Sequence, residues 1–366
     1  MSADYIMVGG FLGAGKTTAM LRLAEHLTRR GRKVGLITND QSTGLVDTSI
    51  VAAKGFPVEE ITGGCFCCRF NSLTDAADRL TREARPDVFL AEPVGSCTDL
   101  RTTVQYPLRR LYGDDYKVAP LSVLVDPKRA ARVLGLETGP AFSAKVLYVY
   151  EKQLEEADII VINKSDLLND SEREALERGL RSRFPQAQIV ILSARTGDNL
   201  EEWFGRLSEP LVPRPAMDVD YDTYAEGEAL LGWVNATFQL SSLASFDGND
   251  FLERLADGVR HRLAIANIEI AHFKMTLAPD TGRDLGVLNL VRTDGRAESP
   301  YQLAEPLTGG ELIVNLRAEG DPEQLKAAVL AALGDVARAA DVTASTSHIE
   351  HFRPGRPQPT HRMATP

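Results

Sequence analysis

The fold of this chain is decided by one short stretch near its beginning, Gly10-Phe11-Leu12-Gly13-Ala14-Gly15-Lys16-Thr17. The stretch follows an apolar run at residues 5–8 and leads into a helical pattern at residues 18–30. A strand, a glycine-rich turn and a helix in this order form a phosphate-binding loop. The glycines let successive backbone N–H groups point at one anion, and the helix N-terminus adds its positive end. We therefore predict that the chain binds a nucleoside triphosphate.

The lysine and threonine that end the loop have predictable roles. Lys16 is expected to reach the β- and γ-phosphates and to act in catalysis, and the Thr17 hydroxyl is expected to bind Mg2+. The predicted nucleotide-binding residues of this loop are Gly10, Gly13, Ala14, Gly15, Lys16, Thr17 and Thr18. A glycine-rich strand–turn–helix without a ligand is the alternative interpretation of the same pattern.

The composition restricts the class of protein. The chain has 366 residues, which suggests two domains, and 43% of them are hydrophobic. Its formal net charge of -10 argues against nonspecific binding of nucleic acid and against attraction to anionic membranes. No apolar run approaches the roughly 18 residues of a membrane span. The first predicted strand begins almost at the N-terminus, so we expect no cleaved signal, no membrane partner and a cytoplasmic location.

Apolar runs alternate with helical patterns from the start of the chain to about residue 210. The runs lie at residues 33–38, 87–91, 121–126, 158–163 and 188–193. Each is short and nearly continuous and ends in a polar or small residue, which is typical of buried parallel strands whose carboxyl ends carry a site. We therefore predict an α/β fold for residues 1–210, a doubly wound and mostly parallel sheet of the P-loop NTPase class.

A second unit is predicted after a proline-rich break. Residues 211–229 lack periodicity and are interpreted as a linker. Residues 230–352 predict the order β-α-β-β-β-α-β, which suits a smaller C-terminal α+β domain of ferredoxin-like type. Its strands are expected near 232–240, 268–277, 286–292, 311–317 and 343–352, and its helices at 249–263 and 322–338. Residues 353–366 are basic and proline-rich and are expected to form an extended, solvated tail.

A second nucleotide-recognition motif, Asn163-Lys164-Ser165-Asp166, ends the apolar run at residues 159–162. The Asp166 carboxylate is expected to accept two hydrogen bonds from guanine that adenine cannot donate. The Lys164 stem would cover the purine face and Asn163 would brace the loop, while Ser193 and Ala194 at the next strand end would supply a backbone N–H to the guanine oxygen. A polar strand-to-helix turn is the alternative. The pattern favours GTP and GDP over adenine nucleotides.

Carboxylates end two further strands. Glu92 begins the stretch Glu92-Pro93-Val94-Gly95 and is expected to hold Mg2+ through water or to position the attacking water, while Gly95 would donate its N–H to the γ-phosphate. Asp40 is a second candidate for Mg2+, or else a helix or turn cap. Asp126 is expected to buttress the site. No water-orienting glutamine and no arginine finger can be nominated, so we expect slow intrinsic hydrolysis that a partner or a homodimer would accelerate.

The four cysteines form one cluster in the sequence. Cys65-Phe66-Cys67-Cys68 follows two glycines, and Cys97 lies 29 positions beyond Cys68. Three thiols within four residues offer soft ligands for zinc, cobalt, copper or nickel. Small buried thiols in a turn are the alternative. A fourth ligand stays open, with Glu59, Glu60, Asp40, Cys97 and a water molecule as candidates.

Together these motifs resemble the CobW family of metallochaperone GTPases, of the SIMIBI class. The resemblance rests on residues 9–18, on Gly-Gly-Cys-Phe-Cys-Cys at 63–68, on Glu-Pro-Val-Gly at 92–95 and on Asn-Lys-Ser-Asp at 163–166. It implies a GTPase related to the urease- and hydrogenase-maturation GTPases, in which Cys65, Cys67 and Cys68 bind a transition metal. It also implies that the GTP state controls delivery of that metal. The histidine-rich stretch frequent in the family is missing here.

The predicted function is therefore a GTP-binding and GTP-hydrolysing metallochaperone that binds Zn2+ or Co2+ and delivers it to a client metalloenzyme. A second hypothesis is a GTP-dependent chaperone of a cofactor-dependent enzyme, such as a corrinoid-dependent or nitrile-hydrating one, with structural or redox-active cysteines. A small-molecule kinase is a third, which the guanine-recognition motif disfavours. Neither the physiological metal nor the client follows from the sequence.

Overall fold

The computed structural model describes residues 2–39, 55–282 and 284–365. Within these residues, eight strands form a first, parallel sheet. They are Ala3–Gly10 (β1), Val34–Asn39 (β2), Val58–Ile61 (β3), Val88–Glu92 (β4), Tyr116–Val118 (β5), Ser122–Val125 (β6), Ile159–Ile162 (β7) and Gln188–Ile191 (β8). The strand order is β3-β2-β4-β1-β6-β7-β8, and β5 pairs with β1. The doubly wound parallel sheet predicted from the apolar runs is confirmed, with strand ends shifted by one or two residues.

Helices of the described residues cover this sheet and leave the carboxyl ends of its strands to connecting loops. They are Lys16–Arg29 (α1), Phe70–Glu83 (α2), Tyr106–Tyr112 (α3), Pro127–Val133 (α4), Ala144–Glu156 (α5), Asp170–Arg183 (α6) and Leu200–Arg206 (α7). A π-helical turn, Arg101–Gln105, precedes α3, and a short 3-10 helix, Ser165–Leu167, follows β7. The central strands are buried on both faces, as a parallel sheet between two helical layers requires.

A second, antiparallel sheet forms from Leu231–Phe246 (β9), Ile270–Pro279 (β10), Gly286–Leu290 (β11), Glu298–Tyr301 (β12), Leu307–Glu319 (β13) and Thr343–Phe352 (β14). Its order is β12-β11-β10-β13-β9-β14. Helices Gly248–Ile265 (α9) and Pro322–Ala339 (α10) pack together over one face. The predicted α+β arrangement is confirmed, because β10-β13-β9-β14 with these two helices is the ferredoxin-like order. The short edge strand β12 was not predicted, since its residues include a proline and are mostly polar.

The segment expected to be a linker contains a helix. Tyr221–Leu230 (α8) leads directly into β9, and its N-cap residue Asp220 accepts hydrogen bonds from the N–H groups of Asp222 (2.9 Å) and Thr223 (3.3 Å). The helix lacks an apolar stripe, which explains why periodicity did not indicate it. It packs on α5 and buries Tyr224 and Glu228 completely or nearly so.

Candidate functional site

The phosphate-binding loop joins the end of β1 to the start of α1. α1 begins at Lys16, directly after Gly15, whose φ of +89° lies in a region that L side chains rarely adopt. A Cβ on Gly15 would lie 2.5 Å from Asn163 Nδ2, so only glycine fits. The first N–H groups of a helix have no internal acceptor, and this end of α1 is therefore suited to an anion.

A cavity of about 740 Å3 lies beside this loop, at the carboxyl ends of β1, β4 and β7. Its volume is in the range of pockets that hold a nucleotide-sized ligand. The predicted site residues that line it are Gly13, Gly15, Lys16, Thr17, Thr18, Glu92, Gly95, Asn163, Lys164, Asp166 and Ala194. Three further predicted residues, Gly10, Ala14 and Ser193, are buried behind the wall. The structure thus brings motifs from distant parts of the chain to one cavity.

At the phosphate end of the cavity, the Lys16 ammonium lies beside the oxygen atoms of Thr17 and Glu92. Lys16 Nζ lies 3.8 Å from Glu92 Oε1, and the Thr17 hydroxyl donates to the same oxygen at 3.2 Å. All three residues are buried. A hydroxyl and a carboxylate side by side are the hard oxygen ligands that Mg2+ prefers, so the donor set fits this ion. The other candidate for Mg2+, Asp40, lies outside the described residues.

The guanine-recognition motif is held in place by Asn163. Its Nδ2 donates to Ala14 O at 2.8 Å, and its Oδ1 accepts from the Ala194 N–H at 3.0 Å. Asn163 thus joins the phosphate-binding loop to the loop after β8. The Ala194 N–H, which we expected at the guanine oxygen, is engaged by this contact.

Asp166 faces the cavity as an ionised acceptor. Its carboxylate accepts a hydrogen bond from the Ser193 hydroxyl at 2.5 Å and pairs with Arg195. Burial raises the pKa of Asp166, but the hydrogen bonds from Ser193 and Arg195 outweigh burial and hold the pKa below its ordinary value. A carboxylate that stays ionised can accept the two donors of guanine.

Asp126, which we predicted to buttress the site, lies buried behind Lys164. It caps α4 by accepting from the Arg129 N–H (3.0 Å), and it pairs with Lys164 (3.0 Å) and with Arg292 of the second sheet (3.1 Å). Complete burial raises the pKa of this carboxyl, yet the charges of Lys164, Arg292 and Arg129 together hold the pKa well below its usual range. One buried carboxylate therefore connects Lys164, which is predicted to cover the base, to the second sheet.

The thiols of Cys65, Cys67 and Cys68 converge in the turn between β3 and α2. The Sγ atoms of Cys65 and Cys67 are 2.8 Å apart, those of Cys65 and Cys68 are 3.2 Å apart, and those of Cys67 and Cys68 are 3.7 Å apart. The N–H groups of Cys68 (3.0 Å) and Arg69 (2.8 Å) both donate to Cys65 O, which forms the helix-like turn that gathers the sulfurs. The three thiols could hold one metal ion between them. We call them the thiol cluster.

The thiols of the cluster shift one another's pKa values in opposite directions. Hydrogen bonds with Cys67 and then with Cys68 hold the pKa of Cys65 well below its usual value. The hydrogen bond with Cys65 raises the pKa of Cys67 and raises that of Cys68 to about 11. A soft cation would stabilise further thiolates here, with release of their protons.

Two buried groups flank the thiol cluster. Cys97, a predicted fourth-ligand candidate, interacts with the thiols of Cys65 and Cys67 and has a pKa raised first by burial. Glu228 of α8, which the sequence did not indicate, accepts from the Ser96 hydroxyl at 2.6 Å. Burial, and secondly the negative charge on Cys65, raise the pKa of Glu228 well above its ordinary value. Glu59, another predicted candidate, is instead paired with Arg79 at 2.7 Å.

Two loops connect the cavity to the thiol cluster. Asn39 lines the cavity, and its Nδ2 donates to Ile61 O (3.0 Å) and to Gly64 O (2.7 Å), immediately before Cys65. The loop after β4 begins with Glu92 in the cavity wall and reaches Cys97 five residues later. A movement of the loops at the phosphate end of the cavity would therefore reach the sulfurs through only a few residues.

The 353–365 segment covers the thiol cluster, whereas we expected a solvated tail. The Gln358 N–H donates to Cys68 Sγ at 3.1 Å, and the Thr360 N–H donates to Cys67 O at 2.8 Å. His361 packs edge-on against Phe70, with ring centroids 5.0 Å apart. The segment thus lies across the turn that carries the sulfurs.

Comparison with known proteins agrees with this geometry. Residues 4–191 match the family model described as CobW/HypB/UreG, nucleotide-binding domain. The chain is 30% identical over 191 residues to the zinc chaperone YeiR of Escherichia coli, a match that covers 50% of this chain and 53% of that one. It is 27% identical over 211 residues to the zinc chaperone CobW of a Sinorhizobium species, covering 52% and 59%. The chain thus spans just over half the length of these curated relatives.

Solved structures with a similar arrangement include two metal-bound proteins. HypB from Helicobacter pylori in complex with nickel is 20% identical, with 56% of this chain and 85% of that chain covered and a TM-score of 0.41. The Zn(II)-bound YjiA GTPase from E. coli is 16% identical, with 90% and 99% covered and a TM-score of 0.36. Among the described residues, no helix combines the length and the apolar character that a membrane span requires. The family model spans more than half of the chain, which therefore belongs to the CobW/HypB/UreG family.

Proposed function

We propose that this protein is a GTPase that uses its nucleotide state to control the binding of a transition metal ion by the thiol cluster and the delivery of that ion to a client protein. The observation that carries the proposal is the pair of short connections between the nucleotide cavity and the sulfurs. Asn39 reaches from the cavity wall to Gly64, and the loop from Glu92 to Cys97 passes from one site to the other.

GTP is the substrate that the cavity suits best. Lys16 and the first turn of α1 would bind the phosphates, and Asp166 would select guanine by accepting from its N1–H and 2-amino groups. Thr17 and Glu92 would hold Mg2+, which neutralises charge on the β- and γ-phosphates when it is bound. Hydrolysis is expected to be slow, because the loops described here offer no glutamine to orient water.

The cargo is a soft divalent ion, and Zn2+ is the first choice. Thiolates are preferred zinc ligands, and three cysteine sulfurs converge here within 3.7 Å of one another. Two relatives of the chain are described as zinc chaperones, which supports zinc over cobalt. Cys97 and Glu228 are buried groups that interact with Cys65, and either would complete the coordination.

Coupling would follow from the shared loops. Contacts of the γ-phosphate with the loop at Glu92 and Gly95 order that loop in the GTP state, as in other nucleotide switches. Loss of the γ-phosphate relaxes it, and the geometry around Cys97 and Gly64 changes with it. The metal would then be bound in one state and released to the client in the other.

Metal titration in defined nucleotide states tests the proposal. Zn2+ and Co2+ are titrated into the protein bound to a non-hydrolysable GTP analogue and bound to GDP, with a competing chelator to set the free metal. We expect stoichiometric binding in at least one state and an affinity that differs about 5- to 150-fold between them, the usual range of allosteric coupling. Identical affinities would overturn the coupling, and absence of stoichiometric metal would leave the cysteines structural.

Replacing one sulfur locates the metal. Cys67→Ser is expected to lower metal affinity about 100-fold, because it removes a buried thiolate ligand, while GTP binding stays within a factor of two. The matched variant Ser208→Ala, on an exposed turn of the first-sheet unit, controls for handling of the protein. Unchanged metal affinity in Cys67→Ser would remove this residue from the site.

A further inference from the structure

The second sheet presents a polar band on the face that its helices leave uncovered. Lys274 on β10 stands opposite Asn289 on β11 and Asn315 on β13 in the strand register. Residues directly opposite each other share one face of a sheet, so the three side chains form a row. The alternate residues of β10, such as Phe273 and Met275, point into the core beneath α9 and α10.

A second row of this band contains a stacked arginine. Arg317 on β13 stands opposite His272 on β10 and Trp233 on β9. The guanidinium of Arg317 lies 3.8 Å from the centre of the Trp233 ring, and its Nη1 donates to Val234 O at 3.1 Å. The stacking fixes the plane of the guanidinium, which is the geometry that phosphate recognition uses.

Both rows line the nucleotide cavity. Lys274, Arg317, His272, Asn289, Asn315 and Trp233 all belong to its wall. Lys274 is 7% exposed and Arg317 is 3% exposed. Both cations belong to the wall of the cavity that Lys16 and Thr17 of the phosphate-binding loop also line, so a polyphosphate is the ligand whose charge matches this wall.

The position of the second sheet indicates that Lys274 and Arg317 lie at the phosphate end of the cavity. The phosphate-binding loop touches the second sheet at Gly13, where a Cβ would lie 2.7 Å from Val291 Cγ1 and 3.2 Å from Ala271 O. Ala271 directly precedes the first residue of the polar band on β10. The base end lies in another part of the cavity. There, Glu298 of β12 is 3.8 Å from Arg195, and Arg195 pairs with Asp166 of the predicted guanine-recognition motif.

We propose that Lys274 and Arg317 contact the terminal phosphate of bound GTP, so that the second sheet distinguishes GTP from GDP. The inference rests on the proposed GTP function and deepens it by naming the residues that recognise the nucleotide state. The second sheet becomes a sensor of the γ-phosphate, and Asp126 with its partners Lys164 and Arg292 ties that sensor to the base end.

Nucleotide affinities of charge-removing variants test the inference. Lys274→Met and Arg317→Gln keep most of the side-chain volume. The matched controls in the same sheet unit are Lys326→Met, at a partly exposed lysine, and Arg254→Gln, at an exposed arginine. Affinities for a non-hydrolysable GTP analogue and for GDP are measured by displacement of a fluorescent nucleotide. We expect analogue binding about 10-fold weaker or more in the test variants, with GDP binding within a factor of two.

The outcomes separate this inference from the function on which it rests. Equal losses for GTP analogue and GDP, or no loss in either variant, would overturn the contact with the terminal phosphate. Thermal unfolding of each variant is recorded beside the affinities, and an intact GDP site shows that the cavity is formed. If the unsubstituted protein bound neither nucleotide, the proposed function itself would fail.

A separate set of contacts concerns access to the thiol cluster. Besides the bonds to Cys67 and Cys68, the 353–365 segment is anchored by Arg362, whose Nε donates to Asp99 Oδ2 at 2.8 Å. Asp99 is fully buried and also accepts from the Tyr221 hydroxyl at 2.7 Å. The Met363 N–H donates to Thr102 O at 2.9 Å. On the other side of the sulfurs, Arg356 pairs with Asp222, so the segment is fastened on both sides.

We infer that the 353–365 segment is a strap that closes the thiol cluster and must lift for the metal to enter or leave. The strap contacts the cluster through the backbone N–H groups of Gln358 and Thr360 and through the Thr360 hydroxyl, which donates to Cys68 O at 3.2 Å. The Arg362–Asp99 pair supplies its strongest anchor, since a charge-assisted hydrogen bond to a buried carboxylate is worth more than a neutral one. Weakening that pair should therefore open the site without altering its ligands.

Thiol accessibility tests the strap directly. Arg362→Gln removes the anchoring charge, and Thr360→Pro removes the N–H that binds Cys67 O; Arg254→Gln is the control. The rate of alkylation of Cys68 by iodoacetamide, and the rate of Zn2+ loss to excess chelator, are expected to rise about 10-fold in the test variants. Rates equal to those of the control would overturn the strap. A cooperative thermal transition in each variant excludes general unfolding as the cause of a rise.

Discussion

The nucleotide cavity and the thiol cluster lie at the same edge of the first sheet but are built in opposite ways. The cavity is a volume of about 740 Å3 with charged walls from both sheets, whereas the thiol cluster is a point site of three sulfurs within 3.7 Å. A nucleotide is recognised by many contacts along its length, so its site needs wide walls. A metal ion needs few ligands, and control of its site therefore lies in what covers the ligands and in the loops that hold them.

The largest expected effect comes from a substitution in the cavity that should affect nucleotide binding and leave the thiol cluster unchanged. Lys16→Met removes the cation beside Glu92 and should weaken GTP binding about 100-fold, because charge-assisted bonds to phosphate are lost. Zn2+ affinity of the nucleotide-free protein should stay unchanged, because the described contacts of Lys16 are with Glu92 and Phe11 O and involve no sulfur. Isothermal titration with each ligand measures both. Lys33→Met is the matched control, because Lys33 is exposed and lies directly before β2, at the end of the sheet away from the cavity. If Lys16→Met lost Zn2+ affinity as strongly as GTP affinity, the two sites would not be separable.

Much of the cavity was predictable because its parts are local in sequence. The loop at residues 10–17 and the motif at 163–166 each follow a buried apolar run, and parallel strands bring such ends together without further information. The cysteine turn was predictable for the same reason, since residues 65–68 are nearly contiguous. These short sequence patterns could not show which segments of the chain pack against the cavity and the cysteine turn.

The missed parts are contacts between distant segments. Lys274 and Arg317 lie in strands that were predicted from the sequence, but nothing in a single strand indicates which of its faces meets a nucleotide cavity. Glu228 belongs to a helix without an apolar stripe, so its segment was interpreted as a linker. The strap binds the cysteines mostly through backbone N–H groups, and backbone donors carry no residue signature.

The next effect concerns Asn39, which connects the cavity to the turn that carries the thiol cluster. Asn39→Ala removes the hydrogen bonds from the cavity wall to Ile61 O and Gly64 O. We expect the ratio of Zn2+ affinities between the GTP-analogue and GDP states to fall several-fold toward one, while each nucleotide still binds. Asn249→Ala removes a similar side-chain bond, to Leu303 O at 2.9 Å, far from both sites. If the ratio were the same in Asn39→Ala and in this control, the coupling would run elsewhere.

The smallest effect concerns the buried support of the loop that flanks the sulfurs. Glu156 of α5 accepts from the Arg101 N–H at 3.0 Å and from the Thr98 hydroxyl at 3.3 Å, and so holds the residues just after Cys97. Burial raises the pKa of Glu156 from its ordinary 4.5 to about 8, although the Arg101 N–H opposes the shift. The folded protein therefore keeps this proton at pH values where the unfolded chain has lost it.

The sign of the resulting pH dependence follows from that difference. Below pH 4.5 both states carry the proton, and between about 4.5 and 8 only the folded state does, so stability falls as pH rises through this window. Glu156→Gln stays neutral in both states and should remove part of the fall in melting temperature between pH 5 and pH 8, which thermal unfolding at a series of pH values measures. Glu155→Gln, the neighbouring carboxylate on the outer side of α5, is the control. A pH profile unchanged by Glu156→Gln would mean that the buried carboxyl is ionised when folded, and its contacts with Arg101 and Thr98 would then have to compensate a buried charge.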